Sequence, residues 1–218
     1  MIKLAIFDFD NTLVNSDYVE YQIEKQLIST YGGTLSKCSY DKYHNWLFLP
    51  PEKIMEYYIQ DFHISSTVEK LLQQKEVLIS TSIQQYIQPM KGARELLSFL
   101  TNKNIICAVA SDSTSSIVKQ GLELTNLSQY ISPIVSKDDV LHKKPYSDIY
   151  HHVLSLTHIS AHQAIAFDDA YEGVTSAKNA GIFCFAMPLL VADYNKYEDC
   201  DVIVPNLLHA HKLLSLLI

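Results

Sequence analysis

Four short polar stretches of the chain carry residue types that could do chemistry together. They are Asp8-Phe9-Asp10-Asn11-Thr12-Leu13, Ser111-Asp112-Ser113, Lys143-Lys144-Pro145 and Asp168-Asp169. Carboxylates placed close together repel each other and lose solvation when buried, so they are costly as purely structural residues. Four carboxylates, one lysine and one hydroxyl in a single pocket favour a divalent cation and a phosphate group as ligands. Hard oxygen donors favour Mg²⁺, which commonly shares its coordination shell with phosphate oxygens.

Each stretch has a structural explanation when it is taken alone. An Asp-x-Asp pair occurs often by chance, Ser111 could cap a helix, and Asp168-Asp169 could begin one. All four stretches, however, stand at the carboxyl ends of predicted strands or in the loops just after them. Because the carboxyl ends of parallel strands lie at one edge of a sheet, we expect the four stretches to converge there.

The strands are predicted from short apolar runs, which have no polar face and are too short for helices. These runs are Leu4 to Phe9, Ile105 to Ala110, Ala164 to Phe167, Ile182 to Ala186 and Val202 to Val204. Helical segments lie between or after them, at Ala93 to Leu100, Ser115 to Leu124, Ser147 to Leu156, Tyr171 to Ala180 and Leu207 to Leu217. This alternation predicts a doubly wound, mostly parallel, Rossmann-like α/β sheet with right-handed connections. Pro145 suits the first turn of the helix after Lys144.

The alternation fails between the first strand and the second. Residues 15–89 indicate helices near 16–30, 39–46, 52–61 and 65–87, with Pro50-Pro51 beginning the third and Pro89 ending the segment. We therefore predict a core domain made of residues 1–14 and 90–218, and an all-helical cap domain made of residues 15–89. An insert after the first strand would lie over the ligand-binding edge of such a sheet. We therefore expect it to act as a lid on the site rather than as an insert without a function.

The composition of the chain excludes some classes of binding partner and predicts its cellular location. At 218 residues, 48% hydrophobic and 19% charged, the chain can bury a real core and is not of the disordered class. Twenty-four acidic against 17 basic residues give a net charge of −7, which argues against binding to nucleic-acid backbones or anionic membranes. The chain shows no signal-peptide or membrane-spanning run, which predicts a cytoplasmic protein. Cys107 and Cys184, inside apolar runs, are predicted to be buried thiols.

The four polar stretches, in this order, resemble the four motifs of the haloacid dehalogenase superfamily. The third continues as Lys144-Pro145-Tyr146-Ser147-Asp148-Ile149-Tyr150, and the fourth as Asp168-Asp169-Ala170-Tyr171-Glu172-Gly173-Val174, with Ser176 to Gly181 after it. The insert resembles the cap of subfamily I, which includes phosphoglycolate-phosphatase-like and β-phosphoglucomutase-like enzymes. The resemblance covers most of residues 1–14 and 90–190, whereas the cap matches only in position and helical character.

The resemblance implies a role for each catalytic position. Asp8 would be the nucleophile that forms an aspartyl-phosphate, and Asp10 would protonate the leaving alcohol and then activate water. Thr12 would orient this pair. Ser111 and Lys144 would hold the phosphoryl oxygens and offset the charge of the transition state.

The resemblance also implies a metal site and shows three departures from the family pattern. Mg²⁺ would be bound by Asp8, by the backbone carbonyl of Asp10 and by Asp169, with Asp168 acting directly or through a water. Asp168 is often glutamate in relatives, so its reach to the metal is shorter. Asp112 stands where a neutral residue is common, and Lys143 replaces the glycine that usually precedes the catalytic lysine. Neither change removes an essential group, but both could alter substrate preference.

These features predict a Mg²⁺-dependent phosphatase that hydrolyses a small phosphorylated metabolite. A phospho-receiver domain would place its acidic pair after the first strand and its phosphorylated aspartate later, the reverse of the order here. A C-halogen hydrolase of the superfamily would not be expected to keep Asp10 or the full acidic pair. A catalytically silent binding protein is disfavoured because every expected catalytic position is occupied.

A sugar phosphomutase is the nearest alternative reaction. A mutase must hold a second phosphate beneath the cap, and arginine suits such bidentate contact best. Residues 15–89 contain no arginine, and the single arginine, Arg94, is predicted to lie at the surface of the core. Lys37, Lys42 and Lys53 remain candidates for that role, so the absence of arginine favours the phosphatase without excluding the mutase.

Overall fold

A computed structural model of the protein describes residues 1–36, 50–189 and 195–218. The helices are α1 (Ser16–Thr30), α2 (Pro51–Asp61), α3 (Val68–Tyr86), α4 (Ala93–Asn102), α5 (Ser115–Leu124), α6 (Asp148–Thr157), α7 (Tyr171–Asn179) and α8 (Leu207–Leu217). The strands are β1 (Leu4–Phe7), β2 (Ile106–Ser111), β3 (Ile131–Ser136), β4 (Ala164–Asp168), β5 (Phe183–Ala186) and β6 (Val202–Ile203). The helix predicted at 39–46 lies outside the described residues. The chain divides into two compact units, Met1–Asn15 with Gln88–Ile218, and Ser16–Ile87.

The larger unit is built on a parallel sheet with the strand order β3-β2-β1-β4-β5-β6. Strand β1 lies between β2 and β4, and its last residue, Phe7, is opposite Val109 and Phe167. Helices α6 and α7 pack on the sheet face that carries Leu4 and Ile6, and α4 contacts α8. The predicted doubly wound, Rossmann-like sheet is confirmed, and its order brings the ends of β1, β2 and β4 side by side.

Strand β3 (Ile131–Ser136) was not predicted. Its sequence, Ile-Ser-Pro-Ile-Val-Ser, breaks the apolar run with a serine and with Pro133, which has no N–H to donate to a ladder. The strand lies at the edge of the sheet and pairs only with β2 in the described topology, with a register shift between Cys107 and Val109. An edge strand tolerates proline because one of its sides makes no ladder hydrogen bonds.

The position predicted for Pro145 is wrong. Helix α6 begins at Asp148, three residues later, and Pro145 follows Lys144 through a cis peptide bond. The backbone N–H of Tyr146 donates to the carbonyl of Lys143 at 3.0 Å, which closes a turn before the helix. Lys144 therefore lies in a tight loop ahead of α6.

Two cysteines of the larger unit are buried free thiols, as predicted. Cys107 lies in β2 and Cys184 in β5, and burial raises the pKa of both, that of Cys107 to about 12. Both thiols are therefore protonated and unreactive near neutral pH.

The smaller unit packs its helices around its own apolar core. Leu27 and Ile28 of α1 meet Met55 and Tyr58 of α2 and Leu71 of α3. Helix α3 begins at a Thr67 cap, whose side chain accepts from the N–H of Lys70. Among the helices that the structure describes, none has the length and apolar character that crossing a membrane requires.

Candidate active site

The carboxyl edge of the sheet gathers three of the predicted stretches. Asp8 follows β1 and its backbone N–H donates to the carbonyl of Phe167 in β4 at 2.9 Å. Ser111 ends β2, and Asp168 ends β4. All three residues are buried, Ser111 and Asp168 completely. Parallel pairing in register is what brings residues more than 100 positions apart to one edge.

Lys144 joins the carboxylates at the centre of this edge. Its Nζ lies 2.7 Å from Asp8 Oδ1 and 2.7 Å from Asp168 Oδ2, and the three side chains are 5%, 10% and 0% exposed. Burial alone would lower the pKa of Lys144, but the charges of Asp168 and Asp8 outweigh burial and raise that pKa well above its usual value. Burial raises the pKa of Asp8, against the opposing effect of Lys144. A cation beside Asp8 therefore helps to keep this carboxylate ionised.

Asp168 is held by groups that sequence reasoning did not single out. Its Oδ2 accepts from the Tyr150 hydroxyl at 3.0 Å, and its Oδ1 accepts from the backbone N–H of Ala170 at 3.0 Å. A Cβ atom on Gly173 would stand 2.0 Å from Oδ2, so only glycine fits beneath this carboxylate. The ring of Tyr150 also lies under Lys144, with Nζ 5.6 Å from the ring centre.

Asp169, the second acid of the pair, is fixed at both its side chain and its backbone. The Thr12 hydroxyl donates to Asp169 Oδ1 at 3.1 Å, and the Tyr197 hydroxyl donates to the Asp169 carbonyl at 2.6 Å. Thr12 thus bonds to the acidic pair, whereas the resemblance gave it the role of orienting Asp8 and Asp10. Tyr197 belongs to none of the four motifs, and nothing in its local sequence indicates its contact with Asp169.

Asp10 contacts two serine hydroxyls, one at the end of β2 and one in the loop after it. The Ser113 hydroxyl donates to Asp10 Oδ2 at 2.6 Å, and the Ser111 hydroxyl makes a longer contact of 3.5 Å to the same atom. In the same loop Asp112 Oδ1 accepts from the backbone N–H of Lys144 at 3.4 Å, and burial raises the Asp112 pKa. The unusual acid at position 112 therefore helps to hold the loop that carries Lys144.

The carboxylates fit a divalent cation. Asp8, Asp168 and Asp169 each offer one carboxylate oxygen, and these three atoms lie within 4.8 Å of one another. Three hard oxygen donors at such spacing are the ligand type that divalent cations such as Mg²⁺ and Ca²⁺ prefer. The acidic cluster can therefore hold a metal ion of this class.

The model of the haloacid dehalogenase-like hydrolases matches residues 5–187, so the chain belongs to this family. Its sequence is 25% identical over 209 residues to the validoxylamine A 7'-phosphate phosphatase of Streptomyces hygroscopicus subsp. limoneus, covering 95% of each chain. It is 23% identical to the phosphorylated carbohydrates phosphatase of Thermotoga maritima, covering 83% of this chain and 82% of the relative. The predicted superfamily and the predicted class, a hydrolase of the phosphatase kind, are thereby confirmed.

Solved structures share the fold. The structure of a putative beta-phosphoglucomutase from Thermotoga maritima superposes with a TM-score of 0.88 over all of both chains at 20% identity. A HAD family hydrolase from Deinococcus radiodurans R1, solved with bound phosphate and sodium, gives a TM-score of 0.83 at 16% identity, covering 98% of this chain and 95% of that one. At these identities the likeness shows the fold alone.

Proposed function

We propose that the protein is a Mg²⁺-dependent phosphatase that hydrolyses a small phosphate monoester through an aspartyl-phosphate on Asp8. The observation that carries this proposal is the buried Lys144, held 2.7 Å from Asp8 at the carboxyl edge of the sheet. A lysine in that place offsets the charge of a phosphoryl group beside the nucleophile. The phosphatases among the relatives support the same reaction, one of them named for phosphorylated carbohydrates.

The reaction takes two steps at phosphorus. In the first, an Asp8 oxygen bonds to phosphorus, the bond from phosphorus to the alcohol oxygen breaks, and Asp10 gives its proton to that oxygen. In the second, a water oxygen bonds to phosphorus while Asp10 takes the water proton. The bond between phosphorus and Asp8 then breaks, which releases phosphate and restores the carboxylate.

Ser111 and Lys144 would hold the oxygens of the phosphoryl group. Ser111 is completely buried at the end of β2, and its hydroxyl oxygen already accepts from the backbone N–H of Ser113 at 3.0 Å. That bond fixes the side chain, and the hydroxyl proton makes a long contact of 3.5 Å to Asp10. A preorganised donor of this kind stabilises charge that develops in the transition state.

Asp8, Asp169 and the backbone carbonyl of Asp10 would hold Mg²⁺, with Asp168 acting directly or through a water. The Asp168 oxygens accept hydrogen bonds from Lys144, Tyr150 and the Ala170 N–H, which favours a contribution through water. When bound, the ion supplies positive charge that offsets the carboxylates and the phosphate.

The test is hydrolysis of p-nitrophenyl phosphate with and without Mg²⁺, for the wild type and for Asp8→Asn. Asn keeps the shape of the side chain but is a poor nucleophile, so kcat should fall by at least about 10³-fold. The exposed Asp199→Asn is the matched control and should retain activity. Hydrolysis that survives in Asp8→Asn would remove Asp8 as the nucleophile.

A second experiment addresses the role of Asp10. In Asp10→Asn the first step can still occur with an activated donor such as acetyl phosphate, because its leaving group needs no proton. The second step should then be slow, and intact-mass spectra should show the protein carrying one phosphoryl group. Unchanged steady-state turnover in this variant would remove the acid–base role.

The mutase reaction is the second candidate, because mutases share this fold. Arg94, the single arginine, donates to the carbonyl of Thr125 at 2.8 Å within the larger unit, and Lys53 pairs with Glu56. Lys37 and Lys42 lie outside the described residues. The contact of Arg94 engages the single arginine elsewhere in the larger unit and favours the phosphatase, whereas the exposed Lys53 pair is weak and leaves Lys53 available. Glucose 6-phosphate formed from β-glucose 1-phosphate would establish the mutase, and free phosphate as the only product would count against it.

A further inference from the structure

Of the two serine hydroxyls that contact Asp10 among the described residues, the Ser113 hydroxyl is the closer. Its hydroxyl donates to Asp10 Oδ2 at 2.6 Å, whereas the Ser111 hydroxyl lies 3.5 Å from the same atom. A donor at 2.6 Å from a carboxylate is in the range of charge-assisted hydrogen bonds, which are about twice as strong as neutral ones. Ser113 is therefore the stronger of the two serine contacts to Asp10.

The loop that carries Ser113 is tied to its surroundings through its backbone. The Ser113 N–H donates to Ser111 Oγ at 3.0 Å, and its carbonyl accepts from the N–H of Lys137 at 3.3 Å, just beyond β3. Two residues later the N–H of Ser115 donates to Asp138 Oδ2 at 2.8 Å. These bonds hold the Ser113 hydroxyl in place.

The segment beyond β3 is itself well fixed. Asp139 Oδ2 accepts from both the backbone N–H and the hydroxyl of Ser136, at 2.8 and 2.7 Å, and the N–H of Asp138 donates to Ser136 Oγ. These bonds form a capping box that orders the turn after the strand. The edge strand thus supports the loop that holds Asp10.

We propose that Ser113 is a positioning residue for proton transfer by Asp10, an inference that rests on the proposed phosphatase reaction. In this arrangement the Ser113 hydroxyl donates to Oδ2, and the proton that Asp10 transfers is assigned to Oδ1. As the bond from phosphorus to the leaving oxygen breaks, the proton moves from Oδ1 to that oxygen and Asp10 becomes a carboxylate. The Ser113 hydrogen bond strengthens as this negative charge forms, which favours the transition state over the ground state.

The experiment compares two leaving groups. An alkyl phosphate such as glycerol 3-phosphate needs a proton from Asp10 for its alkoxide to leave, whereas p-nitrophenolate leaves with little help. The ratio kcat/KM reports the steps up to departure of the leaving group, so hydrolysis of the phosphoenzyme does not contribute. The variants are Ser113→Ala, Ser113→Thr, which keeps a hydroxyl, and Ser116→Ala. Ser116 is the matched control because it is exposed and its hydroxyl shares a hydrogen bond with the Thr114 hydroxyl in the same part of the chain.

We expect Ser113→Ala to lower kcat/KM by about tenfold for the alkyl phosphate and by no more than about twofold for the aryl phosphate. Ser113→Thr should restore most of the loss, and Ser116→Ala should behave as the wild type. Equal losses with both substrates would overturn the proposal, because they would show a general structural effect or a contact with the phosphoryl group. Unchanged kcat/KM with both substrates would overturn it as well.

Asp10→Asn, assayed with the same two substrates, separates this inference from the proposed function. Asp10→Asn could lower kcat/KM for the alkyl phosphate alone while Ser113→Ala leaves it unchanged. That result would overturn the positioning role of Ser113 and support the acid role of Asp10. If Asp10→Asn lacks that leaving-group dependence, the proposed role of Asp10 fails and the role of Ser113 fails with it.

Discussion

Two regions of the molecule each bury a lysine between two carboxylates. In the larger unit Lys144 lies 2.7 Å from both Asp8 and Asp168. In the smaller unit Lys75 of α3 pairs with Glu20 and lies 3.5 Å from Glu24, both on α1. Lys75 is 13% exposed and Glu24 only 3%. The two clusters therefore share one arrangement, a lysine between two acids, although Glu20 is 30% exposed and the Lys144 cluster is the more deeply buried.

They differ in what surrounds the carboxylates. Asp168 accepts from a backbone N–H and a tyrosine hydroxyl besides Lys144, and Asp8 is followed two residues later by Asp10. Glu24 lies inside a helical unit, where backbone donors are already used within the helices, and burial raises its pKa to about 7. A lysine between two acids is thus not a catalytic signature by itself. Strand ends supply the extra acids and backbone donors that a phosphoryl site needs.

The largest expected effect is on hydrolysis in Lys144→Met. Removal of the ammonium group leaves Asp8 and Asp168 close together and takes away the charge that faces the phosphoryl group. We expect kcat with p-nitrophenyl phosphate at saturating Mg²⁺ to fall by at least about 10³-fold.

The counterpart of that variant is Lys75→Met in the smaller unit. It removes the ion-pair partner of buried Glu24, so the melting temperature should fall, while hydrolysis should change by less than about tenfold. Hydrolysis lost equally in both variants would break the comparison between the two clusters.

The next largest effect concerns Glu24 and pH. The pKa of Glu24 is raised from an ordinary value of 4.5 to about 7 in the folded protein. Between these values the folded state binds more protons than the unfolded state, so the free energy of unfolding falls as the pH rises through this window. Above this window Glu24 is ionised in both the folded and the unfolded state, and the free energy of unfolding is lower by about 3 kcal/mol.

Glu24→Gln removes the ionisation and should flatten this part of the pH dependence. We expect the variant to melt above the wild type at about pH 8 and to approach it near pH 4. Thermal unfolding across that range is the measurement, with the exposed Glu76→Gln as control. A wild type that gains stability steadily from acid to neutral pH, with Glu24→Gln following the same curve, would contradict the raised pKa.

The smallest expected effect compares two buried tyrosines. Tyr150 contacts Asp168, and the side chain of Tyr58 hydrogen-bonds Glu24 and acts to lower its pKa. Tyr150→Phe removes one hydrogen bond to Asp168 and keeps the ring beneath Lys144. It should cost about 1 kcal/mol of stability and lower hydrolysis by about threefold to tenfold. Tyr58→Phe should affect stability alone. Melting curves and kcat for both variants check this, and an activity loss limited to Tyr58→Phe would reverse the assignment of the two clusters.

The fold could be predicted from the sequence wherever apolar runs were continuous. Strands β1, β2 and β4 are unbroken apolar runs, and their ends carry the acids and the serine that mark the site. Strand β3 could not be predicted because Ser132 and Pro133 interrupt its apolar run. An edge strand tolerates such a proline, whereas a central strand does not. Proline suits the first turn of a helix, which predicts that position for Pro145, but the helix begins at Asp148, three residues later.

The candidate site could be predicted only where its residues stand in motifs. Asp8, Lys144 and Asp168 were identified by type and order, and the structure brings them into direct contact. Ser113 and Tyr197 were not identified as parts of the site, because their contacts to Asp10 and Asp169 depend on how loops from distant strands meet.

The sequence by itself determined the family, the alternation of strands and helices, and the residue types at the strand ends. These are local properties, set by apolar runs, by turn residues and by the order of the motifs. Only the tertiary structure decided which hydroxyl donates to Asp10 and which acids Lys144 contacts. It also decided that Lys75 lies between two acids in the smaller unit. Such contacts join residues far apart in the chain, and their distances follow from strand order and register. No local pattern encodes those distances.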